Sequence, residues 1–322
     1  MPMVTFEGQN YALEPGENLL AGLERCGAEL ASSCRSGVCQ SCMLKAVSGA
    51  VPAAANKGLR ETQRVQGLLL ACCCVPEDDL VLERPAETRL HESRVLEVRR
   101  LNDRTVELRV ARPEGLAYFP GQFLNLVRPG NLVRSYSIAS VPALDDALHF
   151  HIAVFPGGRM SSWASLEATP GDALGLMGPM GSCFYVAGQP EQPLFLFGTG
   201  TGLAPLYGIL RDALAQGHTG PIHLFHGSPV DAGLYLHETL QGLVRMYPNV
   251  HYHPCTLGPA EREGVLEGDI TRISLERCAS LAGYRVYLCG NPDIVRVMQR
   301  KCFLAGANMR DIFADSFLPA AT

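Results

Sequence analysis

Cysteines in the first quarter of the chain have the spacing of an iron-sulfur site. Cys34, Cys39 and Cys42 follow the pattern C-x4-C-x2-C. Two iron ions bridged by two sulfides need four thiolates, and this is the plant-type spacing. A structural zinc site is the alternative, but zinc sites usually pair two C-x2-C units, and this region has only one. The pattern therefore predicts a 2Fe-2S cluster held by these three residues and a fourth thiol further along the chain.

Spacing alone leaves the fourth thiol open. Cys72, Cys73 and Cys74 are consecutive, and any of the three could complete the set. Small residues in the cluster loop (Ser36, Gly37, Ser41) would let backbone amides reach the sulfur atoms, and such hydrogen bonds help to set the reduction potential. We expect the other cysteines to be small buried apolar residues.

A second group of chemistry-bearing residues follows in the middle of the chain. A flavin site needs an aromatic face, a hydroxyl near the redox nitrogen and a cation for the phosphate, and Tyr136, Ser137 and Arg134 could supply them in that order. The alternative interpretation is an exposed polar strand. About twenty residues later, Gly157, Gly158 and Ser161 precede a helix-like segment and form a candidate anion site built from backbone amides.

A glycine-rich turn in the last third predicts a nucleotide site. The strand-like run 194–197 leads into a turn and then into a helix through Leu214, so the glycines can approach a pyrophosphate at a helix start. The candidate nucleotide-binding residues are Gly198, Thr199, Gly200, Thr201, Gly202 and Pro205. The third glycine falls one residue too early for the Rossmann fingerprint GxGxxG.

Two further segments could complete a redox site. Cys289 and Gly290 follow a strand-like run and could place the cysteine beside a nicotinamide ring; a plain strand-to-helix turn with a buried cysteine is the alternative. Phe317 ends the segment 311–317 and could cover a flavin face or simply pack on the core. We expect Ser137 and Cys289 to line the site of hydride transfer.

The elements that must position these residues fall into three regions, which differ in their pattern of predicted strands and helices. Residues 1–86 combine short strands, a helix over 18–26 and the cysteine loop, and a polar segment at 84–88 reads as a linker. Residues 90–189 alternate short apolar strands with Pro and Gly turns, including a tight turn at 178–182, which favours an antiparallel barrel. Residues 190–322 alternate strands and helices, which favours a parallel α/β sheet.

Composition and charge limit the classes of partner that the protein could bind. The chain has 322 residues and a formal net charge of −5, and it has no basic stripe that could neutralise nucleic-acid phosphates. The sequence contains no run of eighteen apolar residues, so it does not predict a membrane-spanning helix. The first residues lack a basic region followed by an apolar stretch, so they do not resemble a signal peptide. We therefore expect a cytoplasmic protein with neither nucleic acid nor membrane as a partner.

Taken in order, these motifs resemble the ferredoxin reductase-like electron-transfer components of bacterial multicomponent oxygenases, such as benzoate dioxygenase reductase and the phenol and methane monooxygenase reductases. The resemblance is carried by CRSGVCQSC with LLAC, RSYSIAS, GGRMS, GTGTGLAP and CGNP. It implies a β-grasp ferredoxin domain, a flavin-binding β-barrel and a NAD-binding α/β domain. It also implies that Cys72, which directly follows Leu-Ala, is the fourth cluster ligand.

The resemblance implies a function that the motifs alone do not specify. Electrons would pass from NADH through FAD and the 2Fe-2S cluster to an oxygenase or a small ferredoxin, and we expect the reductase to be a monomer. Relatives often have Gly-x-Arg after the second strand of the last domain, whereas this chain has His226-Gly227-Ser228, which favours NADH over NADPH. A reductase partner in CDP-deoxysugar formation and a redox sensor without turnover are the alternative functions.

Overall fold

The chain divides into two compact units, Met1–Glu87 and Thr88–Thr322. The computed structural model describes residues 2–30, 35, 37, 42–85, 90–128 and 132–317. Cys34 and Cys39, the turn at 129–130 and most of the linker lie outside the described residues. No helix within the described ranges is long and apolar enough to cross a membrane.

The first unit is a five-stranded sheet with two short helices. Its strands run in the order β2-β1-β5-β3-β4, in which β1 and β5 are parallel while the β1–β2, β3–β4 and β3–β5 pairs are antiparallel. Asn18 caps the first helix by accepting a hydrogen bond from the amide of Ala21, and the buried leucines of that helix close the core. The elements are β1 (Met3–Phe6), β2 (Gln9–Ala12), α1 (Leu19–Arg25), β3 (Met43–Ser48), α2 (Glu61–Val65), β4 (Leu68–Leu70) and β5 (Leu80–Glu83).

The second unit begins with an antiparallel sheet that closes on itself. Its order is β10-β7-β6-β11-β8-β9, and a bridge between Ile138, just after β9, and Phe150 on β10 joins the two edges. Inward side chains such as Leu108, Leu126 and Phe150 are fully buried, as the alternating apolar pattern predicts. The elements are β6 (Leu90–Asn102), β7 (Thr105–Ala111), β8 (Phe123–Arg128), β9 (Leu132–Ser137), β10 (Ala147–Ala153), α3 (Arg159–Leu166) and β11 (Ala173–Met180).

The second unit continues into a six-stranded parallel sheet. Its order is β15-β14-β13-β12-β16-β17, so β12 lies between β13 and β16. Residues 194–197 of β12 are at most 1% exposed, because apolar clusters cover both faces of the sheet. The elements are β12 (Leu194–Thr199), α4 (Leu203–Ala215), β13 (Ile222–Ser228), α5 (His237–Met246), β14 (Val250–Thr256), β15 (Leu266–Glu267), α6 (Ile270–Arg277), β16 (Arg285–Gly290), α7 (Pro292–Leu304) and β17 (Ile312–Ser316).

The predicted fold class is confirmed, and one predicted turn is wrong. Strand β11 continues through Met180, with an irregularity between Met177 and Met180, whereas the sequence predicts a tight turn over 178–182. A Gly-Pro pair resembles a turn in sequence, but pairing with β8 resumes at Met180 and extends the strand. The three-part domain bounds stay a prediction.

Candidate functional site

The cysteines of the first unit that fall in the described residues differ in their surroundings. Cys42 precedes β3, and Cys72 lies in the short turn 71–73 after β4, so the pairing of those strands brings the two together. The thiol of Cys42 donates a hydrogen bond to the sulfur of Cys72, and the amide of Cys72 donates to the sulfur of Cys42. The two sulfur atoms therefore share one site.

Of the three consecutive thiols, Cys72 is the one that meets Cys42. Cys74 is fully buried in the apolar core of the first unit, and burial raises its pKa to about 12. The Cys73 sulfur lies 3.7 Å from that of Cys72. A side chain at Gly37 would come within 2.9 Å of the Cys73 sulfur, so the glycine allows a close approach there.

The backbone of the cluster loop reaches Cys72 where the structure describes it. Burial raises the pKa of the Cys72 thiol, whereas hydrogen bonds from the Cys42 thiol and the Gly37 amide lower it. Gly37 adopts a φ of 81°, which favours glycine. A close amide donor beside paired thiols fits a thiolate-ligated iron-sulfur cluster.

The flavin candidates of β9 alternate in exposure along the strand. Arg134 and Tyr136 are half-buried, and Ser137 is buried. Burial raises the pKa of Tyr136 to about 12, and the charge of Arg134 counteracts that shift. The strand therefore presents an aromatic ring and a cation beside a buried hydroxyl, which is the set that an isoalloxazine and its phosphate require.

Ser137 meets a residue that the sequence analysis missed. Its hydroxyl donates a 2.8 Å hydrogen bond to the Asp315 carboxylate, although the two are 178 residues apart. Burial raises the pKa of Asp315, and the hydrogen bond from Ser137 lowers it in part. In sequence the segment 311–317 contains two acidic residues, Asp311 and Asp315, and these are the only signal of such a contact.

Cys289 joins this pair from the neighbouring strand. It is the direct partner of Asp315 in the parallel pairing of β16 with β17. The Cys289 side chain is fully buried, its sulfur lies 3.7 Å from that of Cys183, and burial raises its pKa well above the usual value. Ser137, Asp315 and Cys289 thus converge where the barrel meets the carboxyl ends of the parallel strands.

The glycine-rich turn lies at the same edge of the sheet. Gly202 has no room for a side chain, because a Cβ there would collide with the Cys289 carbonyl. Gly200 has a φ of 53° and open space on its side-chain face. One glycine therefore permits tight packing of the turn on β16, and the other leaves the space that a pyrophosphate could use.

Comparison with known proteins identifies the family. Three family models match in chain order: a 2Fe-2S iron-sulfur cluster binding domain at residues 4–77, an oxidoreductase FAD-binding domain at 94–185 and an oxidoreductase NAD-binding domain at 196–300. The reductase component of the naphthalene 1,2-dioxygenase system of Pseudomonas putida is 33% identical, with 94% of each chain covered. The reductase subunit of an aromatic O-demethylase of Amycolatopsis is 31% identical, with 99% of each chain covered.

The chain belongs to the family of iron-sulfur flavoprotein reductase components of oxygenase systems. A solved structure, the Amycolatopsis cytochrome P450 reductase GcoB, superposes over 100% of both chains with a TM-score of 0.68 and 30% identity. The chain is accordingly an oxidoreductase with 2Fe-2S, FAD-binding and NAD-binding domains, as the sequence predicted.

In this member of the oxygenase reductase family, the predicted anion-binding loop before α3 is held together by hydrogen bonds of its own serine, Ser161. The Ser161 hydroxyl accepts a 3.2 Å hydrogen bond from the Phe155 amide and donates to the Gly158 carbonyl, so it is used within the loop. Gly157 is exposed with a φ of 73° and open space around it. The amides before α3, rather than the Ser161 hydroxyl, are the groups that fit a flavin phosphate.

The remaining candidates hold the nucleotide turn and the C-terminal segment in place. The Thr199 hydroxyl accepts a 3.3 Å hydrogen bond from the Asn291 amide, and Thr201 is half-buried. Pro205 is buried in the first turn of α4 and therefore stabilises the helix start from inside. The Phe317 amide donates a 2.8 Å hydrogen bond to the Gly290 carbonyl, which fixes the half-buried ring of Phe317 beside the Cys289 strand end.

Proposed function

We propose that this chain oxidises NADH and passes the electrons through FAD and a 2Fe-2S cluster to the terminal component of a mono- or dioxygenase, or to a small ferredoxin that serves it. The observation that carries the proposal is the Ser137–Asp315 hydrogen bond beside Cys289. It joins β9, the barrel strand that carries the flavin candidates and is called the flavin wall below, to the end of the parallel sheet where the nicotinamide would lie.

The cofactors supply the redox chemistry, because a flavin accepts a hydride and can release electrons singly, and a 2Fe-2S cluster carries one electron at a time. The protein's own residues orient the cofactors and handle protons. The Ser137 hydroxyl is held by Asp315, and burial raises the pKa of that carboxyl, so the pair can hold a proton close to the flavin wall. The buried Cys289 side chain helps to exclude water from the same place.

On the cluster side, we propose Cys34, Cys39, Cys42 and Cys72 as ligands. The contact of Cys42 with Cys72, and the burial of Cys74 in the apolar core, support Cys72 as the fourth ligand. On the nucleotide side, Gly198 to Gly202 and the start of α4 would hold the pyrophosphate. We also propose that the protein is a monomer and is cytoplasmic.

The acceptor could also be another iron-sulfur enzyme. The reductase of CDP-6-deoxy-L-threo-D-glycero-4-hexulose-3-dehydrase from Yersinia pestis is 24% identical over 89% of each chain. That similarity is lower than the similarity to the dioxygenase and O-demethylase reductases, so we favour an oxygenase system. Electron delivery to a purified oxygenase or dehydrase component, measured as product formed per NADH consumed, separates the two.

The proposal is tested by anaerobic titration with NADH while the flavin and iron-sulfur absorption bands are followed together. We expect both bands to bleach, and an artificial acceptor to be turned over, which a redox sensor would not do. Bleaching of neither band by NADH would overturn the proposal.

A matched pair of variants tests the Ser137 contact. We expect Ser137→Ala to slow flavin reduction by about tenfold or more, because it removes a hydrogen bond to a carboxylate worth roughly 1.5–3 kcal/mol. Ser135→Ala is the control, since that exposed hydroxyl on the same strand bonds only Asn125 among the contacts described. Stopped-flow rates of flavin reduction provide the measurement, and equal rates for both variants would contradict a role for Ser137.

A further inference from the structure

The parallel sheet indicates where the adenosine half of the dinucleotide must lie. The glycine turn follows β12, and the nicotinamide side is defined by Cys289 at the end of β16. Since β12 lies between β16 and β13, an extended dinucleotide with its pyrophosphate over the turn directs its adenosine toward β13. Ser228 ends β13 and pairs with Thr256 at the end of β14, so these two strand ends form the adenosine edge.

The adenosine edge holds one cation among several carboxylates. The segments 226–236 and 256–268, which follow β13 and β14, contain a single basic residue of the Lys or Arg type, Arg262. The same segments contain four acidic residues, namely Asp231, Glu261, Glu263 and Glu267. The guanidinium of Arg272 on α6 lies beside Gly268 but is paired with Glu276. A 2′-phosphate brought to this edge would therefore depend on Arg262, because the carboxylates repel it.

The Arg262 guanidinium is already paired with the Asp231 carboxylate. The Arg262 Nε donates a 2.5 Å hydrogen bond to the Asp231 carboxylate, whose second oxygen accepts from the amides of Glu261 and Arg262 at 2.7 and 2.8 Å. Asp231 is only 5% exposed. Burial alone would raise the pKa of Asp231, but the hydrogen bonds from Arg262 and the two amides hold it below its usual range, so the carboxylate is charged at neutral pH.

Arg262 would stay in place without the carboxylate charge. Its guanidinium also donates to the Leu234 carbonyl at 3.3 Å and to the Asp231 carbonyl. About a third of its side chain (34%) is exposed, so it can reach a ligand on the surface. Its charge is present at the edge, but it is neutralised by Asp231.

We propose that Asp231 is a specificity-determining residue that rejects NADPH by neutralising Arg262, the cation that would otherwise bind the 2′-phosphate. The inference rests on the proposed oxidation of a nicotinamide coenzyme and adds the element that chooses between the two coenzymes. The departure at His226-Gly227-Ser228 explains why no other cation takes this role: the Ser228 hydroxyl lies against Gly233 and accepts from the Val230 amide at 3.4 Å, within its own turn.

The test compares Asp231→Asn with the double variant Asp231→Asn/Arg262→Gln in the full holoenzyme. Asparagine keeps an oxygen for the two loop amides and removes the charge. We expect Asp231→Asn to raise the ratio of kcat/KM for NADPH to kcat/KM for NADH by about tenfold, through a lower KM for NADPH, because the guanidinium can then make charge-assisted hydrogen bonds to the 2′-phosphate. We expect the double variant to lose that gain.

The matched control is Glu191→Gln, which changes an exposed carboxylate in the loop before β12, at the amino ends of the strands and therefore at the opposite edge of the sheet. It removes one negative charge from the same sheet domain without touching the adenosine edge, so the coenzyme ratio stays that of the wild type. An equal gain in the control, or a gain that persists without Arg262, would assign the effect to net charge and overturn the proposal.

A binding measurement covers the case in which Asp231→Asn folds poorly. Comparing inhibition by 2′,5′-ADP with inhibition by 5′-AMP measures the effect of the 2′-phosphate. We expect Arg262→Gln alone to weaken 2′,5′-ADP several-fold more than 5′-AMP, because the Asp231 charge is then no longer neutralised and repels the 2′-phosphate. An equal effect on the two nucleotides would contradict the role of Arg262. If the wild type oxidises neither coenzyme, the proposed function fails; if it oxidises NADH and the variants leave the coenzyme ratio and nucleotide preference unchanged, only this inference fails.

Discussion

Asp315 is the residue whose role depends most on contacts made across the chain. In sequence it is an ordinary acidic residue of the segment 311–317. In the structure its carboxylate accepts a hydrogen bond from Ser137, and its backbone lies opposite Cys289 in the pairing of β17 with β16. Burial raises its pKa, and the hydrogen bond from the Ser137 hydroxyl offsets that rise only in part. The chemistry of this position is therefore created by its neighbours.

The three adjacent cysteines can be separated by single substitutions. We expect Cys72→Ser to lose the 2Fe-2S absorption, because Cys72 is the thiol that shares a hydrogen bond with Cys42. Cys73→Ser should keep the cluster. Cys74→Ser should keep it as well but lower the free energy of unfolding by roughly 1–3 kcal/mol, because it places a hydroxyl in an apolar core.

Visible absorption and electron paramagnetic resonance of the reduced proteins measure these outcomes. Exposed Cys26 provides the control, since Cys26→Ser changes a surface thiol outside the cluster residues. Retention of a normal cluster by Cys72→Ser, together with its loss from Cys74→Ser, would show that the ligand assignment is wrong.

At the scale of elements, the strand, glycine turn and helix act as one unit with β16. Strand β12 is buried on both faces, so it fixes where the turn begins, and α4 starts directly after Gly202. Contact between Gly202 and the Cys289 backbone then sets the position of the turn against the neighbouring strand. The nucleotide site thus depends on packing between two strands as well as on the glycine motif.

Gly202→Ala tests that packing. Its Cβ would collide with the Cys289 carbonyl, so the turn must move; we expect the KM for NADH to rise roughly tenfold and the free energy of unfolding to fall by about 1–3 kcal/mol. Gly242→Ala is the matched control, because Gly242 lies inside α5 with space around it and alanine favours a helix by about 0.5–1 kcal/mol. Steady-state kinetics and urea unfolding measure both, and a normal KM for Gly202→Ala would contradict the packing role.

At the scale of the whole molecule, the second unit joins two different architectures into one body. Arg211 on α4 makes a bidentate ion pair with Asp145 in the barrel at 2.8 and 2.9 Å, and Asp145 also accepts from the Val141 amide. Burial would raise the pKa of Asp145, but Arg211 and the amide lower it below its usual range. The pair therefore contributes to holding the barrel against the parallel sheet.

Asp145→Asn is expected to lower the free energy of unfolding of the second unit by about 1–3 kcal/mol, since it leaves Arg211 without its partner. The folded-state pKa of Asp145 is depressed, so the stabilisation is present above the ordinary carboxyl pKa and is lost as pH falls below it. The difference between wild type and variant should therefore be constant from about pH 8 to 5 and shrink below about pH 4.

Asp146→Asn is the control for this prediction, because it changes the exposed neighbour of Asp145. Its effect should stay within about 0.5 kcal/mol. Fluorescence of Trp163, the one tryptophan of the chain, follows unfolding because that side chain is buried in the barrel core. Equal destabilisation by both variants would show that the ion pair is not the cause.

Local patterns in the sequence are enough to predict the cofactor sites and the order of the three folds. The cysteine spacing, the Arg-Ser-Tyr-Ser strand and the glycine turn depend on residues close together in the chain, and strand and helix periods repeat over short distances. For this reason the ferredoxin, barrel and α/β architectures were predictable. Helix α1 was predicted to within one residue at each end, and α4 ends within one residue of its predicted end but begins earlier, inside the predicted glycine turn.

Contacts between residues far apart in the chain depend on how the elements pack. Ser137 and Asp315, or Asp231 and Arg262, come together because strand order and register place separate segments at one edge of a sheet. The same packing distinguishes Cys72 from Cys74, which are two residues apart in sequence but differ in whether the thiol faces Cys42 or the apolar core. Local patterns carry no information on such contacts, because burial and partner choice arise only when the elements pack.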